Sequence, residues 1–145
     1  MDNSIHENPE LASFSAMRFS LLLLLLLTGC TGPVQSAEAV LNSYALAAAN
    51  KANLTEYLSG AALESAQQSE DLLAELGLVG YGSSHFSMTK PIGSDRYQSC
   101  LDVSGTSFRD ANGLELELDR IERQLVEVEF VAGKVSNLEL LGEKC

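Results

Sequence analysis

The spacing of the apolar residues changes at Gly77. Before this glycine they recur every three or four positions, as Ala62 and Ala66 do, which is the period of an α-helix. After it they alternate with polar residues, as Val126 and Val128 do, which is the period of a strand with one buried face. Helices followed by a run of antiparallel strands predict an α+β fold, in which N-terminal helices pack on a curved antiparallel sheet of about four strands.

Three helices are predicted before the change of period. The first begins at Ser36. The second is short, is opened by the cap residue Asn53 and ends at Leu58, because an Asn followed three residues later by Glu is typical of a capping box. The third ends at Gly77, a residue type that often follows the last turn of a helix.

Four strand regions are predicted after the change of period. Alternation of apolar and polar residues indicates one strand over 81–89 and a second over 95–108. Asn112-Gly113 is a strong signal for a hairpin turn. The alternation resumes over 114–131, and Gly133 turns the chain into a last strand.

A run of seven leucines, 21–27, follows Arg18 and is followed by two small residues and Cys30. A positive charge, an apolar core and small residues, in this order, are typical of a secretory signal peptide. The apolar stretch 19–27 would span roughly 14 Å as a helix, well short of the about 30 Å apolar core of a bilayer. We therefore expect export, and not a transmembrane helix.

The tetrapeptide Leu27-Thr28-Gly29-Cys30 closely resembles the lipobox of bacterial lipoproteins, in which an aliphatic residue and two small residues precede an obligatory cysteine. The resemblance implies a diacylglyceryl thioether on the Cys30 sulfur, cleavage just before Cys30, and a lipid anchor in the cell membrane with the domain on the extracytoplasmic side. The chain then divides into a signal peptide region over 1–29, a lipidated tether over 30–35 and a single α+β domain over 36–145.

Two features leave alternatives open. Ala37-Glu38-Ala39 fits the pattern of an ordinary signal peptidase site, although it lies ten or more residues beyond the leucine run; cleavage there would release a free secreted protein. Residues 1–16 carry three acidic residues and neither Lys nor Arg, which does not suit the start of a signal peptide. Met17 is therefore an alternative translation start.

The order of the predicted elements resembles the cone-shaped family of nuclear-transport-factor-like proteins, which includes ketosteroid isomerases and polyketide cyclases. A cystatin-like or other helix-on-sheet fold fits this order nearly as well. The cone resemblance implies a pocket between the concave face of the sheet and the helices, where family enzymes use an acid or a His-Asp pair to move a proton next to a carbonyl. The side chains that could donate or accept a proton in such a pocket are Tyr44, Tyr57, His85, Tyr97 and Asp102.

No catalytic residue is assigned from the sequence. His85 follows Ser84, but neighbouring residues of a strand point to opposite faces, so this pair does not make a nucleophile and its base. Asp102 alternates with Leu101 and Val103, which indicates a solvent-facing carboxylate. The enzyme hypothesis requires that Asp102 or His85 lie inside an apolar cavity with a perturbed pKa.

Two cysteines, Cys100 and Cys145, are left once Cys30 carries lipid. Exported domains fold in an oxidising compartment, so we predict that these two form a disulfide, with two free thiols as the alternative. The bridge would close a loop of about 45 residues and contribute roughly 4 kcal/mol in the chain-entropy model. It would fasten the last strand to the sheet.

The formal net charge of the chain is −11. The part after residue 29 keeps 8 basic and 17 acidic residues, a net charge of −9. Such a surface repels phosphate backbones, so we expect no nucleic-acid partner. It also repels anionic lipid headgroups, so attachment to a membrane must come from the lipid and not from a basic patch.

No metal or other cofactor is expected. Asp110-Ala111-Asn112-Gly113 with Glu115 faintly resembles a calcium loop, but the spacing of the ligands fails. Neither Cys-x-x-Cys nor His-Glu-x-x-His occurs, and these are the motifs that would indicate zinc.

The predicted function is that of a membrane-anchored exported lipoprotein whose small domain binds an envelope protein or a small apolar ligand without catalysis. The alternative is a lipid-tethered enzyme of the ketosteroid-isomerase or dehydratase kind, with a carboxyl or histidine base in its pocket. A structural role in the envelope without a ligand is a third hypothesis.

Overall fold

The computed structural model describes residues 35–145. In chain order its elements are α1 Ala37–Ala49, a 3₁₀ turn Leu54–Glu56, α2 Gly60–Glu75, β1 Val79–Gly82, β2 His85–Pro91, β3 Arg96–Asp102, β4 Thr106–Arg109, β5 Arg123–Val131 and β6 Lys134–Lys144. Helices precede strands, and all strand pairs are antiparallel. The predicted α+β class is confirmed.

The main sheet has four strands in the order β2-β3-β5-β6, as the predicted sheet of about four strands requires. Strands β1 and β4 form a separate two-stranded sheet. In the centre of the main sheet Ser99 lies opposite Val126 and Tyr97 lies opposite Val128. This register places the alternate apolar residues of β3 and β5 on one face, towards the helices.

The helices bury one face of the main sheet. Helix α1 packs on β2, and α2 packs on β6. The apolar core cluster consists of Leu41, Ala45, Leu58, Ala62, Phe86, Leu101, Val126, Val128 and Val135. Since burial of apolar area is the main favourable term in folding, this layer between helices and sheet holds the domain together.

The ends of the helices follow from local hydrogen bonds. The Ser36 side chain accepts from the Ala39 N–H at 3.2 Å and caps α1. Gly77 has a φ of +66°, and the N–H of Leu78 donates to the Leu73 carbonyl at 2.8 Å. This is the glycine-terminated helix end that the sequence predicts.

The short second helix is reduced to a 3₁₀ turn of three residues, Leu54–Glu56. Asn53 caps it as predicted, because its side chain accepts from the Thr55 N–H at 3.0 Å. The residues after the turn contact the main sheet. Leu58 forms a parallel bridge with Val135 and so covers the beginning of the edge strand β6.

The prediction of a single strand over 81–89 is wrong. The chain leaves β1 at Gly82, whose φ is +80°, and β2 starts three residues later in the other sheet. The prediction of one strand over 95–108 is wrong for the same reason. A turn at Ser104 and Gly105 separates β3 from β4, so that each half pairs in a different sheet.

The alternation over 114–131 is a strand only from Arg123 onwards. Residues 114–122 run beside β4 and form only one isolated bridge, between Arg109 and Glu115. The turn at Asp110–Gly113 does form, since the Gly113 N–H donates to the Asp110 carbonyl at 3.0 Å. A turn signal alone therefore does not ensure that a full hairpin ladder follows it.

Candidate functional site

The predicted lipidation site, Cys30, lies outside the described residues, as does the signal peptide region over 1–29. The other candidate residues lie within the described part of the chain. None of the helices over 35–145 has both the length and the apolar character needed to cross a bilayer.

Cys100 and Cys145 form a disulfide, with Cα atoms 5.9 Å apart. The predicted pairing is confirmed. Cys100 lies on β3 and is only 1% exposed, whereas Cys145 follows the end of β6. The bond therefore ties the residue that follows β6 to β3, a central strand of the main sheet.

His85 and Asp102 lie directly opposite each other in the β2–β3 ladder. Their neighbours Phe86 and Leu101 are also paired and belong to the core. Because successive residues of a strand point to opposite faces, His85 and Asp102 belong to the face that turns away from the helices. The topology thus brings these two candidates together, but not inside a pocket between helices and sheet.

The Asp102 carboxylate is held by local partners. It accepts from the Ser104 N–H at 2.9 Å and from the Ser104 hydroxyl at 2.6 Å, and the Arg123 guanidinium lies 3.6 Å away. These hydrogen bonds, followed by the charge of Arg123, hold the pKa of Asp102 below its usual range. A carboxylate stabilised in its charged form is a poor general base near neutral pH.

The tyrosine candidates are packing residues. Tyr44 lies against Phe86, with ring centroids 6.4 Å apart, and burial followed by the negative charge of Glu70 raises its pKa. Tyr97 meets Phe130 edge to face at 5.4 Å. Tyr57 is partly buried against the core. Such rings contribute apolar contact area, and they line neither of the two cavities described below.

Two shallow cavities are notable on the domain. One, of about 310 Å³, lies on the outer face of the main sheet and is lined by Arg96, Glu127, Val128, Glu129, Asn137 and Glu139. The other, of about 400 Å³, lies beside β4 and is lined largely by polar residues of 104–108 and 115–122. His85 and Asp102 line neither cavity. The isomerase-like hypothesis requires His85 or Asp102 inside an apolar cavity, and neither of these two cavities contains them.

The cavity beside β4 is bounded by residues 114–122, which are part of the strand predicted over 114–131. We call residues 114–122 the Leu/Glu segment. At its start the Leu116 N–H donates to the Phe108 carbonyl at 2.9 Å, and Arg109 lies 3.7 Å from the Glu115 carboxylate. Beyond Leu116 the ladder with β4 does not continue.

Arg120 holds the far end of the Leu/Glu segment. Its guanidinium donates to the Thr106 hydroxyl at 2.8 Å and to the Val103 carbonyl at 3.0 Å, and also to the Thr106 carbonyl. The Val103 N–H donates to the Glu122 carbonyl at 2.8 Å. The segment is thus fixed at both ends, with the cavity between it and β4.

Two leucines of the Leu/Glu segment are left in solvent: Leu114 is 66% exposed and Leu118 is 51% exposed. The sequence shows leucines alternating with acidic residues in this segment, but the same pattern predicts an ordinary half-buried strand. Only the structure shows that nothing in the described part of the chain covers the leucines.

No protein-family model matches the chain, and no curated protein matches it. Within 35–145 no group of three or more His, Cys, Asp or Glu side chains is placed to hold a metal ion.

Proposed function

We propose that the protein is an exported lipoprotein, held at a membrane surface by lipid on Cys30, and that its domain over 36–145 binds a partner protein of the cell envelope without catalysis. One observation carries the proposal. Of three cysteines, Cys100 and Cys145 are bonded to each other, and the third stands where the leucine run ends, in Leu27-Thr28-Gly29-Cys30.

The disulfide supports export. Such bonds persist in oxidising compartments and are rare in the bacterial cytosol. The charge bears on how the domain is attached: a region with a net charge of −9 after residue 29 gains nothing from anionic headgroups, so attachment to a membrane requires lipid. A diacylglyceryl group supplies the attachment that this surface does not, since two acyl chains suffice for stable anchoring.

A protein partner suits the domain better than a small apolar ligand. Sites for apolar ligands are concave and mostly apolar, whereas five of the six residues that line the outer cavity are polar or charged. Leu114 and Leu118, which are 66% and 51% exposed on one short segment, offer apolar surface that a partner protein would remove from water.

Metabolic labelling tests the lipid anchor. The full chain is produced in bacteria fed with an alkyne analogue of palmitate, and the label per amount of protein is compared between wild type, Cys30→Ser and Cys145→Ser. We expect label in wild type and in Cys145→Ser, and none in Cys30→Ser. The intact mass should begin at Cys30 with a diacylglyceryl group and be about two daltons lighter for the disulfide, a consequence of the lost thiol hydrogens. An unlabelled wild type would refute the anchor.

A further inference from the structure

We infer that the Leu/Glu segment is a docking edge for an extended protein segment in which apolar residues alternate with Lys or Arg. The inference rests on the proposed binding role of the domain, and it is independent of the lipid at Cys30. It requires an edge with free backbone groups, exposed apolar side chains and a charge pattern that selects the partner.

The backbone of the segment offers the edge. The Leu116 N–H points towards β4, where it donates to the Phe108 carbonyl at 2.9 Å. The Leu114 carbonyl on the other side of Glu115 accepts from the Asp110 N–H at 3.0 Å. Because both neighbours of Glu115 pair towards β4, Glu115 directs its backbone groups away from β4. Between Glu115 and Asp119 the bond from Leu116 is the one backbone hydrogen bond formed with another part of the described chain. An added strand would therefore find unpaired donors and acceptors there.

The side chains of the segment supply apolar contact. Leu114 and Leu118 are 66% and 51% exposed, and their even spacing places them on the same side of an extended chain as Leu116. A partner strand with apolar residues at alternate positions would cover them. Cross-strand pairs of this kind are the units that stabilise a sheet.

The charges of the segment select the partner. Glu115, Glu117 and Asp119 alternate with the leucines. Since Glu115 already lies 3.7 Å from Arg109, Glu117 and Asp119 are the negative charges that this part of the structure offers to an adjacent strand. A second copy of the chain would place acids opposite acids, which destabilises a ladder, whereas Lys or Arg opposite these acids stabilises it. The net charge of −9 after residue 29 also steers a basic partner towards the domain.

Binding of a defined peptide tests the inference. The probe is a fluorescent octapeptide of alternating lysine and valine, and the readout is anisotropy with the full-length protein in a non-ionic detergent. Two matched probes accompany it: the same residues in an order that breaks the alternation, and the alternating peptide N-methylated at every second amide on its pairing edge. We expect binding of the first probe only, because the other two lose side-chain register and backbone pairing respectively.

Charge reversal in the protein localises the contact. In Glu117→Lys/Asp119→Lys we expect binding to weaken about tenfold or more, because two favourable cross-strand pairs become repulsive. The matched control is Glu64→Lys/Glu75→Lys on α2, which changes the net charge equally at exposed positions and should weaken binding less than about threefold.

Three outcomes would overturn the inference: equal weakening in both variants, which indicates nonspecific attraction; equal binding of the N-methylated probe; or no binding of any probe. A dimer in sedimentation that Glu117→Lys/Asp119→Lys abolishes would assign the edge to a second copy instead. None of these results depends on acyl labelling of Cys30, so a failure here and a failure of the lipid anchor can be told apart.

Discussion

The side chain of Asn42 pairs with both backbone groups of Phe86. Its Nδ2 donates to the Phe86 carbonyl at 2.9 Å, and its Oδ1 accepts from the Phe86 N–H at 2.8 Å. Phe86 lies on β2, an edge strand of the main sheet. The amide of Asn42 therefore takes the place that a neighbouring strand would occupy, and it fixes α1 to the sheet at the most buried aromatic residue of the core.

Replacing Asn42 should loosen this contact. Asn42→Ala removes both hydrogen bonds and leaves a part-buried N–H and carbonyl without partners, which we expect to lower the free energy of unfolding by about 2–3 kcal/mol. Urea unfolding of the purified protein measures it. The control is Ser43→Ala on the same helix, whose hydroxyl donates only to the Ala39 carbonyl on an exposed face and should change stability by less than about 0.5 kcal/mol. Similar losses in both variants would contradict this role of Asn42.

The disulfide should carry a large share of the stability. In Cys100→Ala/Cys145→Ala we expect a loss of roughly 4 kcal/mol, because the unfolded chain is no longer closed over the sequence separation of 45 between the cysteines. The midpoint of urea unfolding measures this loss. Cys30→Ser provides the control, since it leaves the bond intact and should keep the midpoint. An unchanged midpoint in the double variant would show that β6 holds to the sheet without its covalent link.

Gly82 is required by its surroundings as well as by its backbone angle. A Cβ at this position would overlap the Gly105 carbonyl oxygen, and φ is +80°. Gly77 has a similar φ of +66°, but a Cβ there meets nothing within 4 Å in the described structure. Gly77→Ala should therefore cost about 1–2 kcal/mol for the left-handed conformation alone.

Gly82→Ala should cost about 1–3 kcal/mol more than Gly77→Ala, because the backbone at Gly105 has to move. Thermal unfolding of the two variants side by side gives the difference. Equal losses would mean that the turn between β1 and β2 relaxes freely, and that the close approach to Gly105 is not a constraint on the fold.

The domain should lose stability in acid. Hydrogen bonds lower the pKa of Glu38, which accepts from the Thr89 N–H, and the pKa of Asp110, which accepts from the Leu114 and Asn112 N–H groups. A carboxyl with a lowered pKa in the folded state stabilises the fold above its unfolded pKa of about 4, and this contribution disappears as the pH falls through the folded pKa.

Asp110→Asn should therefore reduce stability at pH 7 and flatten its decrease between about pH 4 and pH 2, because the variant has no carboxylate to protonate. The measurement is the urea midpoint as a function of pH. Asp71→Asn on the exposed face of α2 serves as control and should keep the wild-type profile. A wild-type profile in Asp110→Asn would show that the turn at 110–113 gains nothing from the charge.

The fold class was predictable from the sequence because the spacing of apolar residues and the residue types at helix ends depend on short stretches of chain. The helix end at Gly77 and the cap Asn53 were both correct, since each depends on backbone hydrogen bonds within a few residues. The disulfide was also predictable, because the expected export to an oxidising compartment and the count of three cysteines leave few alternatives.

The division of the strands into two sheets was not predictable from the alternation of apolar and polar residues. The alternation over 81–89 continues across Gly82, and nothing in the spacing reveals that β1 pairs with β4 while β2 pairs with β3. Pairing partners are distant in sequence, so register and sheet membership depend on tertiary packing. For the same reason the spacing over 114–122 predicted a sheet strand, although Leu114 and Leu118 are exposed in the structure.

Arg120 should determine whether the Leu/Glu segment stays in place. Its planar guanidinium reaches Val103 and Thr106 with a fork of donors, and the ammonium of lysine does not reproduce this geometry. Arg120→Lys should therefore lower stability by about 1–3 kcal/mol and speed hydrogen exchange over 103–106 and 114–122. Arg123→Lys is the matched control, because Arg123 is about half exposed and makes a 3.6 Å ion pair with Asp102; it should cost less than about 1 kcal/mol. If both variants exchange alike at 114–122, Arg120 does not hold the segment in place.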